Sequence, residues 1–182
     1  MTDWPDHLCL YSRAVTVPMS ASTQAVSQMP AGRRRSMFAL YGGLVAGTFD
    51  ITYACVFWAL KAGVVPERIF QSVAAGLLGG ASFSGGFKTA ALGLFLHYFI
   101  ATTMSFVYYF ASRWWTALYR QPWFYGPVYG LVLYGVMNYV VLPLSRALPG
   151  SMNPLWIGLS IAVHVLLIGT PIALFARKAH RP

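Results

Sequence analysis

Acid is what this chain has least of. Asp3, Asp6, Asp50 and Glu67 are the only carboxylate side chains among 182 residues, against 13 lysines and arginines. Charged residues make up 9% of the chain, where a soluble domain carries about 25%. That shortage excludes an ordinary soluble surface. Cysteine is equally scarce: Cys9 and Cys55 form neither a disulfide framework nor a metal-ligand spacing, and read as a free thiol and a small apolar residue. Catalytic motifs are missing too. Ser145 beside Arg146 has no base at hand, and there is no nucleophile elbow or phosphate loop. The pairs Gly42–Gly43, Gly79–Gly80 and Gly85–Gly86 lack the strand-to-helix context of a nucleotide site. No tandem repeat is present. The net charge of +9 lies scattered at segment ends, not in a reading module, so no nucleic-acid partner is expected.

What the chain does have is apolar length. It is 57% hydrophobic, with a mean hydropathy of +0.57. Four apolar stretches, 37–60, 89–111, 123–144 and 154–176, each offer roughly the 20 residues a helix needs to cross the hydrocarbon core. The expected fold is all-α, an integral membrane four-helix bundle with the lipid bilayer as its first partner. Four spans are few for a pore, which points to a homo-oligomer or a place in a larger membrane complex.

Residues 1–36, rich in Ser, Thr, Gln and Pro, read as a disordered cytoplasmic tail. "HLCLYSRAVTV" is too short and interrupted for a signal-peptide core. Arg13 and Arg33 to Arg35 suit a transit peptide, but Asp3 and Asp6 count against one. Residues 177–182 form a second, basic tail. Asn153 and Pro154 spell a helix start, a cap followed by proline at the first helical position.

Between the first two stretches, 69–78 reads as a short helix with Phe70, Val73, Ala74, Leu77 and Leu78 toward one side. Its first reading is a helix on the membrane surface. A re-entrant segment is the second, and needs protein around its irregular backbone. Basic residues set the orientation. Arg33, Arg34, Arg35, Arg113, Arg120, Arg177, Lys178 and Arg181 fall at one end of the spans; Lys61, Arg68, Lys88 and Arg146 fall at the other. The richer end is expected in the cytoplasm, with both termini.

Against that background, "LVAGTFDITYACVFWAL" places a carboxylate, Asp50, inside a span. Counted from the poorer end, Asp50 lies about ten residues in, His97 about eight, Asn138 about six and His164 about ten. At about 1.5 Å per residue all four lie roughly 9–15 Å deep. Gly43, Ala46, Gly47 and Ala54 surround Asp50 at helical spacing, and Ala90, Gly93, Ala101 and Ser105 surround His97. Such small-residue stripes let helices approach closely, so both residues should face inward. A charged Asp at the helix centre costs on the order of 2.5–3.5 kcal/mol and calls for a partner, a proton or water.

Four roles follow for these residues. One is an outer-half site for a proton, cation or small solute, with Asp50 as the charge, the histidines as proton partners and Asn138 as an orienting amide. The hydroxyls of Thr102, Thr103, Tyr129 and Tyr134 are then the available continuation into the other half. A second is haem b between His97 and His164. A third is a divalent metal such as zinc on His97, His164 and Asp50. The fourth is structural: polar groups that hold helices together, each contact worth about 0.6–2 kcal/mol. Gly126 and Gly130 in "GPVYG" form a GxxxG contact surface. Pro171 leaves the Leu167 carbonyl without its usual donor and predicts a kink below His164. The aromatic share, 16%, reads as interface anchoring and packing.

The segments "GGLVAGTFDITYAC", "QSVAAGLLGG", "ALGLFLHYFIA", "MNYVVLPLS" and "GTPIAL" resemble a group of small four-span bacterial inner-membrane proteins with no established activity. The resemblance runs from about Tyr41 to Ala176. It implies a bacterial cytoplasmic membrane and four helices, and no reaction.

Overall fold

The computed structural model of the chain describes residues 31–148 and 153–181. Most of the expected N-terminal tail, with Cys9, lies outside them. The described chain is helical: α1 (Ala31–Ala62), α2 (Pro66–Leu78), a 3₁₀ turn (Gly79–Ser84), α3 (Gly86–Trp114), α4 (Ala117–Arg120), α5 (Pro122–Val136), α6 (Leu142–Leu144), α7 (Pro154–Val163) and α8 (Thr170–His180). A π turn, Met137–Val141, joins α5 to α6, and a second, His164–Gly169, joins α7 to α8. Four continuous rods are thus long and apolar enough to cross a membrane: Gly32–Ala62, Gly86–Trp114, Pro122–Leu144 and Pro154–His180. The fold is an all-α bundle of four such rods with a short extra helix between the first two.

Local chemistry sets the ends. Arginines are good helix formers, so α1 begins at Ala31, six residues before its apolar stretch, and carries Arg33 to Arg35 in its first turns. α8 likewise runs through Arg177 and Lys178 to His180. Pro66, Pro122 and Pro154 open their helices, where a missing amide costs nothing. Asn153 caps α7 as its sequence predicts, its side-chain oxygen accepting from the amides of Leu155 (3.0 Å) and Trp156 (3.3 Å).

The π turns share a cause. Pro143 and Pro171 each stand two residues beyond one, and each lacks the amide that would reach the carbonyl four residues back. A proline ring also crowds that carbonyl, and the wider i→i−5 turn relieves it. At Pro171, where a kink is expected, the fourth rod takes this wider turn.

Backbone-close packing joins the first rod to the second and fourth, and the third to the fourth. Between the second and third rods stands α2. A Cβ on Gly93 would run into the Phe70 carbonyl, so α2 crosses α3 at direct backbone contact. α2 then reaches the end of the third rod, where the Arg146 amide donates to the Gly76 carbonyl at 2.9 Å. Gln71, Ala74 and Ala75 are its buried positions, while Leu77 and Leu78 are exposed. The buried stripe is therefore rotated from the one expected, because Gln71 finds partners in Glu67 and the Gly86 carbonyl. Large apolar side chains such as Leu60, Phe87, Trp114 and Leu144 stand on the outside, more than four-fifths exposed. In this bundle that exterior is the surface that lipid covers.

Candidate functional site

Three chambers run in series through the half of the bundle that carries α2. The widest, about 490 Å³, lies beneath α2 and is lined by Arg68, Phe83, Trp58 and Trp156 among others. It shares Trp58, Ile69, Ser72, Tyr134, Asn138 and Trp156 with a central chamber of about 240 Å³. Asp50, His97, Asn138 and His164 all line this central chamber, one from each rod. Asp50, His97 and His164 also line a deeper chamber of about 180 Å³, whose remaining wall is largely apolar: Ile100, Met104, Leu133, Ile168 and Ile172.

The four polar residues are held differently. His97 Nε2 stands 2.8 Å from the Gly47 carbonyl. A carbonyl only accepts, so Nε2 carries the hydrogen and Nδ1 is left to take a proton. That bond exists because Gly43 and Gly47 let α3 in: a Cβ on Gly47 would touch Ala101 at 3.0 Å, and one on Gly43 would meet the Thr102 Cα at 2.5 Å. His164 is the mirror case. Its Nδ1 donates to the Ser160 carbonyl at 2.9 Å, leaving Nε2. Tyr134 stands edge-on to its ring, centroids 5.4 Å apart. Gly130 of the GxxxG pair packs against the His164 carbonyl and Gly126 against Thr170, so the expected contact surface faces the fourth rod. Asn138 donates to the Tyr134 carbonyl at 2.9 Å.

Asp50 differs from all three. Its half-buried carboxylate has no hydrogen bond or ion pair among the described residues. Glu67, the other described acid, accepts from Gln71 and lies outside the central chamber.

Trp58, Tyr134 and Trp156 complete the wall, with further aromatic residues packed behind them. Trp156 stacks on Tyr53 at 5.1 Å and packs on Phe57 and Trp58 at 5.0 and 5.3 Å. The Tyr53 hydroxyl lies 3.3 Å from both Ser160 Oγ and the Trp156 carbonyl. The signal was available: Trp156, Ser160 and His164 recur at i, i+4 and i+8, which is one helix face.

Tyr108, almost fully buried, donates to the Leu118 carbonyl at 2.9 Å, and Tyr129 donates to the Met104 carbonyl at 2.8 Å, their rings 4.8 Å apart. Thr102 and Thr103 bond back to the carbonyls of Tyr98 and Phe99. Three of the four hydroxyls expected to continue a path, those of Thr102, Thr103 and Tyr129, are thus committed to backbone, while Tyr134 lines the central chamber.

Cofactor geometry is restrictive. Among the described residues no three His, Cys, Asp or Glu side chains are grouped closely enough to hold a metal ion. Haem ligation by His97 would have to use Nδ1 or break the bond from Nε2 to Gly47. No family model matches the chain, and neither a curated protein nor a solved structure does.

Proposed function

We propose that this is a non-enzymatic membrane protein that binds and moves a proton and a small solute through the central chamber, with Asp50 as the working group. One observation carries the reading. Asp50 is a carboxylate without a hydrogen-bond or ion-pair partner among the described residues, facing a chamber lined by a polar residue from every other rod. A chain that keeps an unpaired acid within its apolar half sacrifices stability there, and such residues mark ion and proton pathways. The spare nitrogens of His97 and His164 supply further proton sites on the same wall. The setting is a bacterial cytoplasmic membrane with the arginine-rich end and both termini in the cytoplasm. The chambers then reach Asp50 from the outside.

Proton uptake into proteoliposomes loaded with a pH-sensitive dye tests this. Asp50→Asn should abolish pH-driven uptake while the protein still purifies folded. Unchanged uptake would refute the role of Asp50.

A second reading has its own support. His97, Asn138 and His164 all bond to backbone carbonyls, as helix-holding groups do. A structural or accessory subunit would need nothing more from them. Under that reading Asp50→Asn changes no flux.

A further inference from the structure

Resting on the solute-binding reading above, we infer that the chamber takes a small organic monocation, a quaternary or tertiary ammonium, with Asp50 as its counter-charge and Trp58 and Trp156 as its wall. The charge balance selects the sign. The titratable groups facing the central chamber are Asp50 from α1, His97 from α3, Tyr134 from α5 and His164 from the π turn. Asp50 is the one acidic side chain on that lining, and no lysine or arginine lines it. Arg68 stands at the mouth of the outer chamber, not in the central one, and is already engaged: Nη1 donates to the Phe83 carbonyl at 3.2 Å, and the guanidinium sits over the Phe83 ring at 5.4 Å. The field at the centre therefore favours a cation.

The lining selects its kind. Magnesium or calcium demands several oxygen ligands to replace its water; Asp50 is the one carboxylate on this lining, and no group of three His, Cys, Asp or Glu that could hold an ion occurs among the described residues. An ammonium with alkyl substituents is weakly hydrated and is recognised by aromatic faces. Two tryptophans and a tyrosine on the wall with one carboxylate are that combination. The deep chamber, apolar through Ile100, Met104, Ile168 and Ile172, offers room for an apolar substituent on the same ion. Its volume of about 180 Å³ is enough for a single aromatic ring, since a cavity of about 150 Å³ holds benzene.

The test is calorimetric titration of the full chain in lipid nanodiscs with three probes. Choline supplies the quaternary head, 3,3-dimethyl-1-butanol is its uncharged isostere, and benzyltrimethylammonium adds a ring for the deep chamber. We expect choline to bind one per chain, benzyltrimethylammonium to bind at least about tenfold tighter (1.4 kcal/mol), and the alcohol not to bind. Asp50→Asn should weaken both cations at least tenfold and Trp156→Leu severalfold. Equal binding of choline and the alcohol would overturn the inference, as would full affinity in Asp50→Asn. The wild-type comparison of three probes needs no variant to fold. Proton uptake that depends on Asp50 without any cation binding would sink this inference and leave the proton site standing.

Discussion

The imidazole of His97 reaches across the first two rods and donates through Nε2 to the carbonyl of Gly47, 2.8 Å away. Gly47 serves this contact twice, as the acceptor and as the absent side chain that lets α3 approach. In His164 the hydrogen sits on the other nitrogen, because the acceptor there is Ser160 one turn back on the same helix. The two histidines of one chamber are thus opposite tautomers. Nitrogen-15 NMR of histidine-labelled protein under neutral-imidazole conditions should show one Nε2–H and one Nδ1–H ring, assigned by His97→Gln and His164→Gln. Two rings of one tautomer would contradict one of the two hydrogen bonds, that of His164 if both carry Nε2–H and that of His97 if both carry Nδ1–H. His97→Gln should also cost about 1 kcal/mol of stability, the scale of an interhelical hydrogen bond in a membrane.

Two glycines five residues apart on the third rod should respond with opposite signs. A Cβ on Gly130 collides with the His164 carbonyl, while a Cβ on Gly135 meets nothing within 4 Å. Gly130→Ala should destabilise by about 1–3 kcal/mol through overpacking. Gly135→Ala should stabilise by up to about 1 kcal/mol through lost unfolded-state freedom. Thermal melts in detergent check both, and equal shifts would argue against the close crossing of the third and fourth rods.

Removing Asp50 should make the protein more robust. Replacing an acid that has no hydrogen-bond or ion-pair partner among the described residues by leucine relieves a desolvation cost, on the order of 1 kcal/mol for a half-buried group. Asp50→Leu is expected to raise the melting temperature in detergent. A clear fall would mean that Asp50 holds helices together, and would favour the structural reading.

α2 should behave as a wall of the site. Gly93→Leu forces a side chain into the Phe70 carbonyl and must push α2 off α3. Ala75→Cys, at a buried position of α2, in a background lacking Cys9 and Cys55, should then react faster with a water-soluble maleimide than in the parent. An unchanged rate would show that α2 keeps its place without Gly93.

Much of this architecture was legible in the sequence. Apolar length gave the four rods, and counting residues from their ends put Asp50, His97, Asn138 and His164 at one depth; they line one chamber. Small-residue stripes pointed Gly43, Ala46 and Gly47 inward, and they pack there. Other features depend on contacts between distant segments, which periodicity does not encode. The crossing of Phe70 over Gly93 makes α2 a wall, and nothing local to 66–78 announces it. The π turns follow from Pro143 and Pro171, but whether a helix bends, breaks or widens at a proline is decided by its neighbours. Aromatic content taken as a share of the composition points to anchoring and packing, which does not single out Trp58 and Trp156.

The chamber around Asp50 borrows wall from all four rods, and that has a consequence for the order of synthesis. The first rod precedes His97, Tyr134, Asn138 and His164 in the chain and is made before them. During that interval Asp50 enters lipid without its companions, supported only by the apolar residues of its own helix. Leu44, Val45, Ile51, Val56, Phe57 and Leu60 supply that support, offsetting a penalty of about 2.5–3.5 kcal/mol. The oily sequence on both sides of the acid is therefore an insertion device as much as a packing surface, and trimming it would stall the protein before its site exists.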